Sequence, residues 1–275
     1  MPTTELQDRY AALIEGLRVM DRALVAFSGG VDSSFLLHAA HEALGDGLLA
    51  VTLVTPYAPR AEIAGAVTLA QSLGVRHRCI ELPIPEAIRD NPPERCYLCK
   101  RTLFGELVRV AAEEGITHVL DGSNVDDLDD YRPGFRAVRE LGVGSPLLDA
   151  GLAKQAIRDL SREQDLPTWN KPAGACLLTR LPHGTVVSEQ ELERIDDGET
   201  FLKSLGFSNV RLRSHGSLAR IELPSESIKS CLNPAFRGRI DAHLRSLGYA
   251  HVAVDLAGYR MGSLNEPAQS AGPKE

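Results

Sequence analysis

Ala23-Leu24-Val25-Ala26-Phe27-Ser28-Gly29-Gly30-Val31-Asp32-Ser33-Ser34 decides how the rest of the chain is read, because an apolar strand passes through a paired-glycine turn into an amphipathic helix. Adjacent glycines let the backbone turn tightly and approach a ligand closely. The helix that follows presents free amides and its positive dipole end, so the turn is expected to cradle a pyrophosphate. It departs from the G-x-x-x-x-G-K-[ST] loop, since Asp32 stands where that pattern places lysine. An acid beside a polyphosphate implies a bound divalent cation. The bland alternative is an ordinary strand-to-helix turn, and the strand and helix on either side weigh against it.

Outward from this stretch, elements alternate. Residues 5–20 carry apolar side chains at helical spacing (Leu6, Tyr10, Leu13, Leu17) and predict a helix packed against the sheet. Leu24–Phe27, Leu48–Val54, His77–Leu82 and His118–Leu120 read as buried strands, with helical patterns over 34–44, 60–73 and 97–114 between them. That order predicts a doubly wound parallel sheet with ligands at the strands' carboxyl ends. Pro146–Leu148 reads as a further extended segment and Lys154–Gln164 as a helix. A boundary is expected near 183, giving a domain over 1–182 and a small α+β domain over 183–266. In the latter, Ser188–Leu205 and Pro234–Leu247 read as helices, and Val210–Arg213, Leu218–Leu223 and His251–Asp255 as strands. The tail 267–275, rich in Pro, Ala, Gly and Ser, is expected to be disordered.

At 275 residues the chain is long enough for two domains and an enzyme's core. Its start has no basic region followed by an apolar core, and no apolar run approaches the ~18 residues of a membrane span, which predicts a cytoplasmic protein. A net charge of −7 argues against a broad phosphate-backbone footprint and so against nucleic acid as partner. Five cysteines without dense spacing point, in a reducing compartment, to metal, cluster or catalytic use.

Cys96 and Cys99 open the helix after the third strand, so their sulfurs share one helical face. Alone, this C-x-x-C fits a redox dithiol, half of a zinc site, part of an iron–sulfur site, or two packed thiols. Cys176 follows Trp169-Asn-Lys-Pro-Ala-Gly-Ala in an irregular segment that can reach the same strand ends, making three convergent thiols possible. Zinc would need a fourth ligand, for which His183 is the candidate, whereas a three-cysteine [4Fe–4S] cluster would leave one iron open to sulfide. Cys79 and Cys231 read as structural. Asp121-Gly122-Ser123-Asn124 follows a strand; Gly122 can admit a ligand and Asp127 can reach Mg2+, the alternative being a solvated turn and helix cap. Asp129 and Asp130 read as surface charges. Lys100, Lys154 and Lys171 are candidates to neutralise a triphosphate that the lysine-free loop cannot. Arg211 and Arg213 share a strand face suited to a phosphate or carboxylate, against the alternative of solubilising surface charge. Arg180 is a further substrate candidate, and Glu199 and Glu222 are weaker ones.

SGGVDSS (28–34) resembles the PP-loop of ATP pyrophosphatases, enzymes that cleave ATP between the α- and β-phosphates. The resemblance implies an α/β fold of that type, a doubly wound parallel sheet with a second, smaller α+β domain. It also implies ATP bound through Ala26, Ser28, Gly29, Gly30, Val31, Asp32, Ser33, Ser34, Gly122 and Lys100, with Mg2+ at Asp32 and Asp127. Together with RCYLCK (95–100), DGSNVDD (121–127), GSPLLDAGLAKQAIR (144–158), WNKPAGACLLTR (169–180), LRSHGSLARIE (212–222) and DLAGYRMGS (255–263), it resembles the LarE family over nearly the whole chain. Members are PP-loop sulfur transferases that build the nickel-pincer nucleotide of lactate racemase and related enzymes. The resemblance implies adenylation of a carboxylate of pyridinium-3,5-biscarboxylic acid mononucleotide, then replacement of the activated oxygen by sulfur, twice over.

Cys176 matches the family's sulfur-delivering cysteine, which in one form gives up its own sulfur and becomes dehydroalanine. Members that also carry a C-x-x-C resemble cluster-dependent tRNA thiolases, in which three cysteines hold a [4Fe–4S] unit relaying external sulfide. Cys96 and Cys99 have no role in the sacrificial route, so the cluster form is the expectation here. Arg180, Arg211 and Arg213 would bind the substrate, and a homo-oligomer is implied. The rivals are a tRNA thiolase, which the acidic charge disfavours, and an amide-forming PP-loop ligase, which has no use for three cysteines.

Overall fold

A computed structural model describes residues 4–128, 133–172 and 174–260; Asp129, Asp130 and the tail from Pro267 lie outside the described residues. The chain divides into two compact units, 1–88 with 94–174 and 89–93 with 175–275. The division falls after Gly174, ahead of the expected 182/183 boundary, and the second unit includes a pentapeptide, Arg89–Pro93, from inside the first.

The first unit runs α1 (Thr4–Arg18), β1 (Ala23–Ala26), α2 (Val31–Leu44), β2 (Leu48–Val54), α3 (Arg60–Ser72), β3 (His77–Glu81), α4 (Arg95–Glu113), β4 (His118–Leu120), α5 (Pro133–Glu140), α6 (Pro146–Asp149) and α7 (Lys154–Glu163). Its four strands are parallel in the order β3-β2-β1-β4, with Ala23 opposite Leu48 and Leu24 opposite Val119. Strand alternation sends successive side chains to opposite faces. Ala23, Val25, Leu48 and Ala50 accordingly join a core with α1, α2, α3 and α7 residues. Leu24, Leu49 and Val51 join another with Phe104, Leu107 and Val110 of α4. Both faces are covered, so the central strands read as unbroken apolar runs. Strand order reverses between β1 and β4, which puts the crevice of an open α/β sheet at the loops leaving those two strands.

Two expectations are corrected. Pro146–Leu148 is not extended but forms α6, with Pro146 at its first turn, where a missing N–H costs nothing. The sheet continues instead through a parallel bridge from Leu120 to Gly144. Cys79 is exposed on edge strand β3 and so is not a packed structural thiol, whereas Cys231 is buried as expected.

The second unit contains α8 (Glu189–Ser204), β5 (Arg211–His215), β6 (Leu218–Glu222), α9 (Ser225–Cys231), α10 (Pro234–Ser246) and β7 (His251–Val254). β5 and β6 pair antiparallel and β6 and β7 parallel, and the core joins Leu202, Leu212, Ile221 and Leu244. Among the described residues no helix is long and apolar enough to cross a membrane.

Candidate active site

In the first unit the loop after β1 is shaped by two close approaches. Gly29 adopts φ +70°, and a Cβ there would lie 2.9 Å from Ala66 Cβ, so α3 closes directly on the turn. A Cβ on Gly122, in the loop after β4, would meet the Ser33 amide nitrogen at 3.0 Å. Glycine at both positions brings three elements together around the first turn of α2. Gly30 caps that helix with no side-chain hydrogen bond, so its leading amides remain available to an anion. Ser28 and Ser33 hydroxyls meet at 3.0 Å and close the loop on itself.

Two of the three candidate lysines converge here. Lys154 pairs with Asp32 Oδ2, and Lys171 Nζ donates to the Gly29 carbonyl at 2.8 Å and to Glu62 at 2.6 Å. Arg158 of α7 fixes this arm by donating to the Trp169 and Lys171 carbonyls at 2.8 and 2.9 Å. Lys100 instead lies over the Phe104 ring at 5.6 Å. Asp32 Oδ1 is buried with no hydrogen-bond partner, and an orphaned carboxylate oxygen beside an anion cradle suits a divalent cation. Asp127 is engaged as a cap: its Oδ2 accepts from the Asn124 amide at 3.0 Å. Asp126 accepts from the Lys154 amide, and Asp121 is buried under Ser123 and Ser145 hydroxyls at 2.6 and 2.7 Å. These acids shape the β4 loop.

Cys96 is exposed and Cys99 half-buried near the start of α4, and neither is in a disulfide. Tyr57, in the loop after β2, places its hydroxyl 3.2 Å from Cys99 Sγ. Sequence reasoning missed Tyr57, Glu62 and Arg158, because nothing local to them signals a partner some 11 to 109 residues away. Among the described residues no three His, Cys, Asp or Glu form a metal-holding group.

In the second unit Cys176, half-buried, precedes a 3-10 turn over Leu177–Arg180. Donors from three directions hold this segment. Asn91 Nδ2 donates to the Leu181 and Pro182 carbonyls at 3.1 and 2.9 Å, Arg213 Nη1 to the Thr179 carbonyl at 2.5 Å, and Arg180 Nη1 to the Ala175 carbonyl at 3.1 Å. His183 Nδ1 donates to the Asn91 carbonyl at 3.3 Å. Asn91 was missed although its sequence, Asp90-Asn91-Pro92-Pro93, is a turn signal, and its φ of +46° is one asparagine tolerates.

The arginines are not a compact exposed pair. Arg213 is 5% exposed and gives Nε and Nη2 to Glu222, itself 0% exposed. Arg180 binds Glu199 with two nitrogens, at 2.8 and 3.1 Å. Both belong to buried ion pairs. Arg211 is half-buried, its guanidinium 5.1 Å from the Tyr259 ring centroid. Burial by itself would raise the Glu199 carboxyl, but hydrogen bonds and charge from Arg180, with the Leu212 amide and Lys203, outweigh it and hold the group below its usual range. The pair's stabilisation is therefore complete above the unfolded carboxylate value of about 4.3 and is lost as pH falls through the depressed folded value. Thermal unfolding midpoints should stay level down to about pH 5 and fall below it. Glu199→Gln should flatten that fall; an equally steep fall in the variant would assign it to other carboxylates.

No family model matches the sequence. An uncharacterized protein of Synechocystis is 39% identical over 263 residues, 94% of this chain and 98% of its own. A pyridinium-3,5-bisthiocarboxylic acid mononucleotide synthase of Lactiplantibacillus plantarum is 36% identical over 269 residues, 97% of each chain. A tRNA-cytidine(32) 2-sulfurtransferase of Paracoccus denitrificans is 35% identical over 122 residues, 41% of this chain and 40% of its own.

Proposed function

The chain belongs to the LarE family of PP-loop sulfur transferases, and on that footing we infer that it adenylates the carboxylates of pyridinium-3,5-biscarboxylic acid mononucleotide and converts them to thiocarboxylates. The observation that carries this is full-length similarity to the mononucleotide synthase, against similarity to the tRNA enzyme over 41% of the chain. The acidic net charge of −7 agrees with a small substrate.

A carboxylate is a poor acyl donor, and AMP supplies a leaving group. A substrate carboxylate oxygen attacks the α-phosphorus of ATP, the α–β bridging bond breaks, and pyrophosphate departs with its electrons. The uncapped amides at the start of α2 receive that pyrophosphate, with Lys154 and Lys171 supplying the positive charge the loop lacks. Mg2+ would be held by Asp32, whose orphaned Oδ1 fits it, with Asp127 of the β4 loop as the second candidate ligand. Sulfide sulfur then attacks the acyl carbon and AMP leaves, giving the thiocarboxylate. Arg211 would anchor the substrate phosphate, with the buried charge of Arg213 behind it.

Cys96, Cys99 and Cys176 are in no disulfide, none is fully buried, and three thiolates are the donor chemistry a three-cysteine [4Fe–4S] cluster takes. When bound, such a cluster supplies an open iron for external sulfide. The test is anaerobic purification, iron and acid-labile sulfide quantification, and intact mass after one turnover. Iron with unchanged mass is expected. A loss of about 34 Da without iron would overturn the cluster and make Cys176 the sulfur donor, since elimination removes hydrogen sulfide.

A further inference from the structure

We propose that Arg180 is a positioning residue for Cys176, which deepens the reading of Cys176 as the sulfur-handling thiol and rests on it. Arg180 is 2% exposed, and its guanidinium is divided between two tasks. Nε and Nη2 bind the two oxygens of Glu199 at 2.8 and 3.1 Å, which anchors the plane to α8. Nη1 faces the other way and donates to the Ala175 carbonyl at 3.1 Å, the Cys176 carbonyl at 3.3 Å and Thr179 Oγ1 at 2.6 Å.

The two carbonyls belong to the peptide planes on either side of the Cys176 Cα. Pinning both planes fixes φ and ψ of Cys176, at −59° and 150°, and with them the direction of its Cα–Cβ bond. Only χ1 is left to the sulfur. The Cys176 carbonyl also accepts from the Thr179 amide at 3.1 Å and the Thr179 hydroxyl at 2.9 Å, so its plane is held three times. Glu199 is in turn located by the Leu212 amide at 3.0 Å, and a Cβ on Gly198 would lie 2.4 Å from Leu212 Cδ2, so α8 rests directly on β5. The backbone at Cys176 is thus tied to α8 and β5 through one guanidinium. Lysine cannot repeat this, because one ammonium on a flexible stem has no planar fork to bridge a carboxylate and two carbonyls. None of this requires Arg180 to touch substrate.

The test separates the two halves of the reaction. Arg180→Lys and the double variant Arg180→Met/Glu199→Gln are assayed for pyrophosphate release and for thiocarboxylate formation, with iodoacetamide labelling of Cys176 followed by peptide mass. The double variant removes the buried charges together and keeps an acceptor for the Leu212 amide, so it stays folded where a lone truncation would strand a carboxylate. Pyrophosphate release should remain within about twofold, thiocarboxylate formation should fall about 100-fold as for an ångström-scale misplacement, and labelling should quicken. Normal thiocarboxylate formation in the folded double variant would reduce the pair to a stability element and end the proposal, as would parallel loss of pyrophosphate release. Cys176→Ala, run alongside, tests the reading beneath: thiocarboxylate from that variant would sink the role of Cys176 itself, whatever Arg180 does.

Discussion

Cys176→Ala should stop thiocarboxylate formation, by at least about a thousandfold, while pyrophosphate release continues at close to its normal rate. The split follows from where the parts lie. The proposed phosphate cradle, Asp32, Lys154 and Lys171 belong to the first unit, and Cys176 to the second. Removing the thiol leaves every contact around Gly29, Asp32 and Gly122 in place, so activation of the carboxylate has no reason to fail. The measurement is paired: released pyrophosphate and thiocarboxylate counted in one reaction. Thiocarboxylate at the normal rate would remove Cys176 from the mechanism, and loss of both products would mean that the thiol serves nucleotide binding.

The second large effect separates two neighbouring glycines. Gly29→Ala forces a side chain onto a residue at φ +70°, costing about 1–2 kcal/mol, and drives its Cβ to 2.9 Å from Ala66 Cβ and 3.0 Å from Ala66 Cα. Backbone of α3 must give way, at a further 1–3 kcal/mol or so of overpacking. The proposed pyrophosphate cradle should then lose its shape, and ATP affinity should fall about a hundredfold by calorimetry, since every 1.4 kcal/mol is tenfold. Gly30, one residue on, sits at φ −78°, and its Cβ would meet only the Ser28 hydroxyl at 3.5 Å, an ordinary contact. Gly30→Ala should keep ATP affinity within about threefold, as expected without strain or clash. Equal losses in the two variants would show that the backbone shape of Gly29 is not what matters.

The first unit was legible because strands buried on both faces are continuous apolar runs: Leu48–Val54 and His118–Leu120 coincide with β2 and β4. The loop after β1 was legible too, since paired glycines, a following hydroxyl and a helical pattern all require the same turn. Helix α2 starts three residues before the predicted 34, because Gly30 takes the cap position and Val31, Asp32 and Ser33 are already helical. Pro146–Leu148 failed for lack of length, three residues being too few to tell a strand from a proline-led turn of helix. The burial of Arg213 was illegible for another reason. Alternation does put Arg211 and Arg213 on one face of β5, but Leu212 on the other face is itself fully buried, so both faces are covered toward that end of the strand. A charged side chain facing a buried glutamate leaves the same trace in sequence as one facing water. Glu62, Asn91 and Arg158 act through partners distant along the chain, and no local pattern encodes such pairings.

The pentapeptide Arg89–Pro93 gives the second unit an unusual ancestry constraint. Leu181 and Pro182 rely on Asn91 for their carbonyls' donor, yet Asn91 is encoded within the other unit's span, five residues ahead of Cys96. A gene fragment starting at Ala175 would inherit the acceptors without the donor. A chimaera that exchanges the C-terminal half should therefore carry this short inset with it to keep the donor for those two carbonyls.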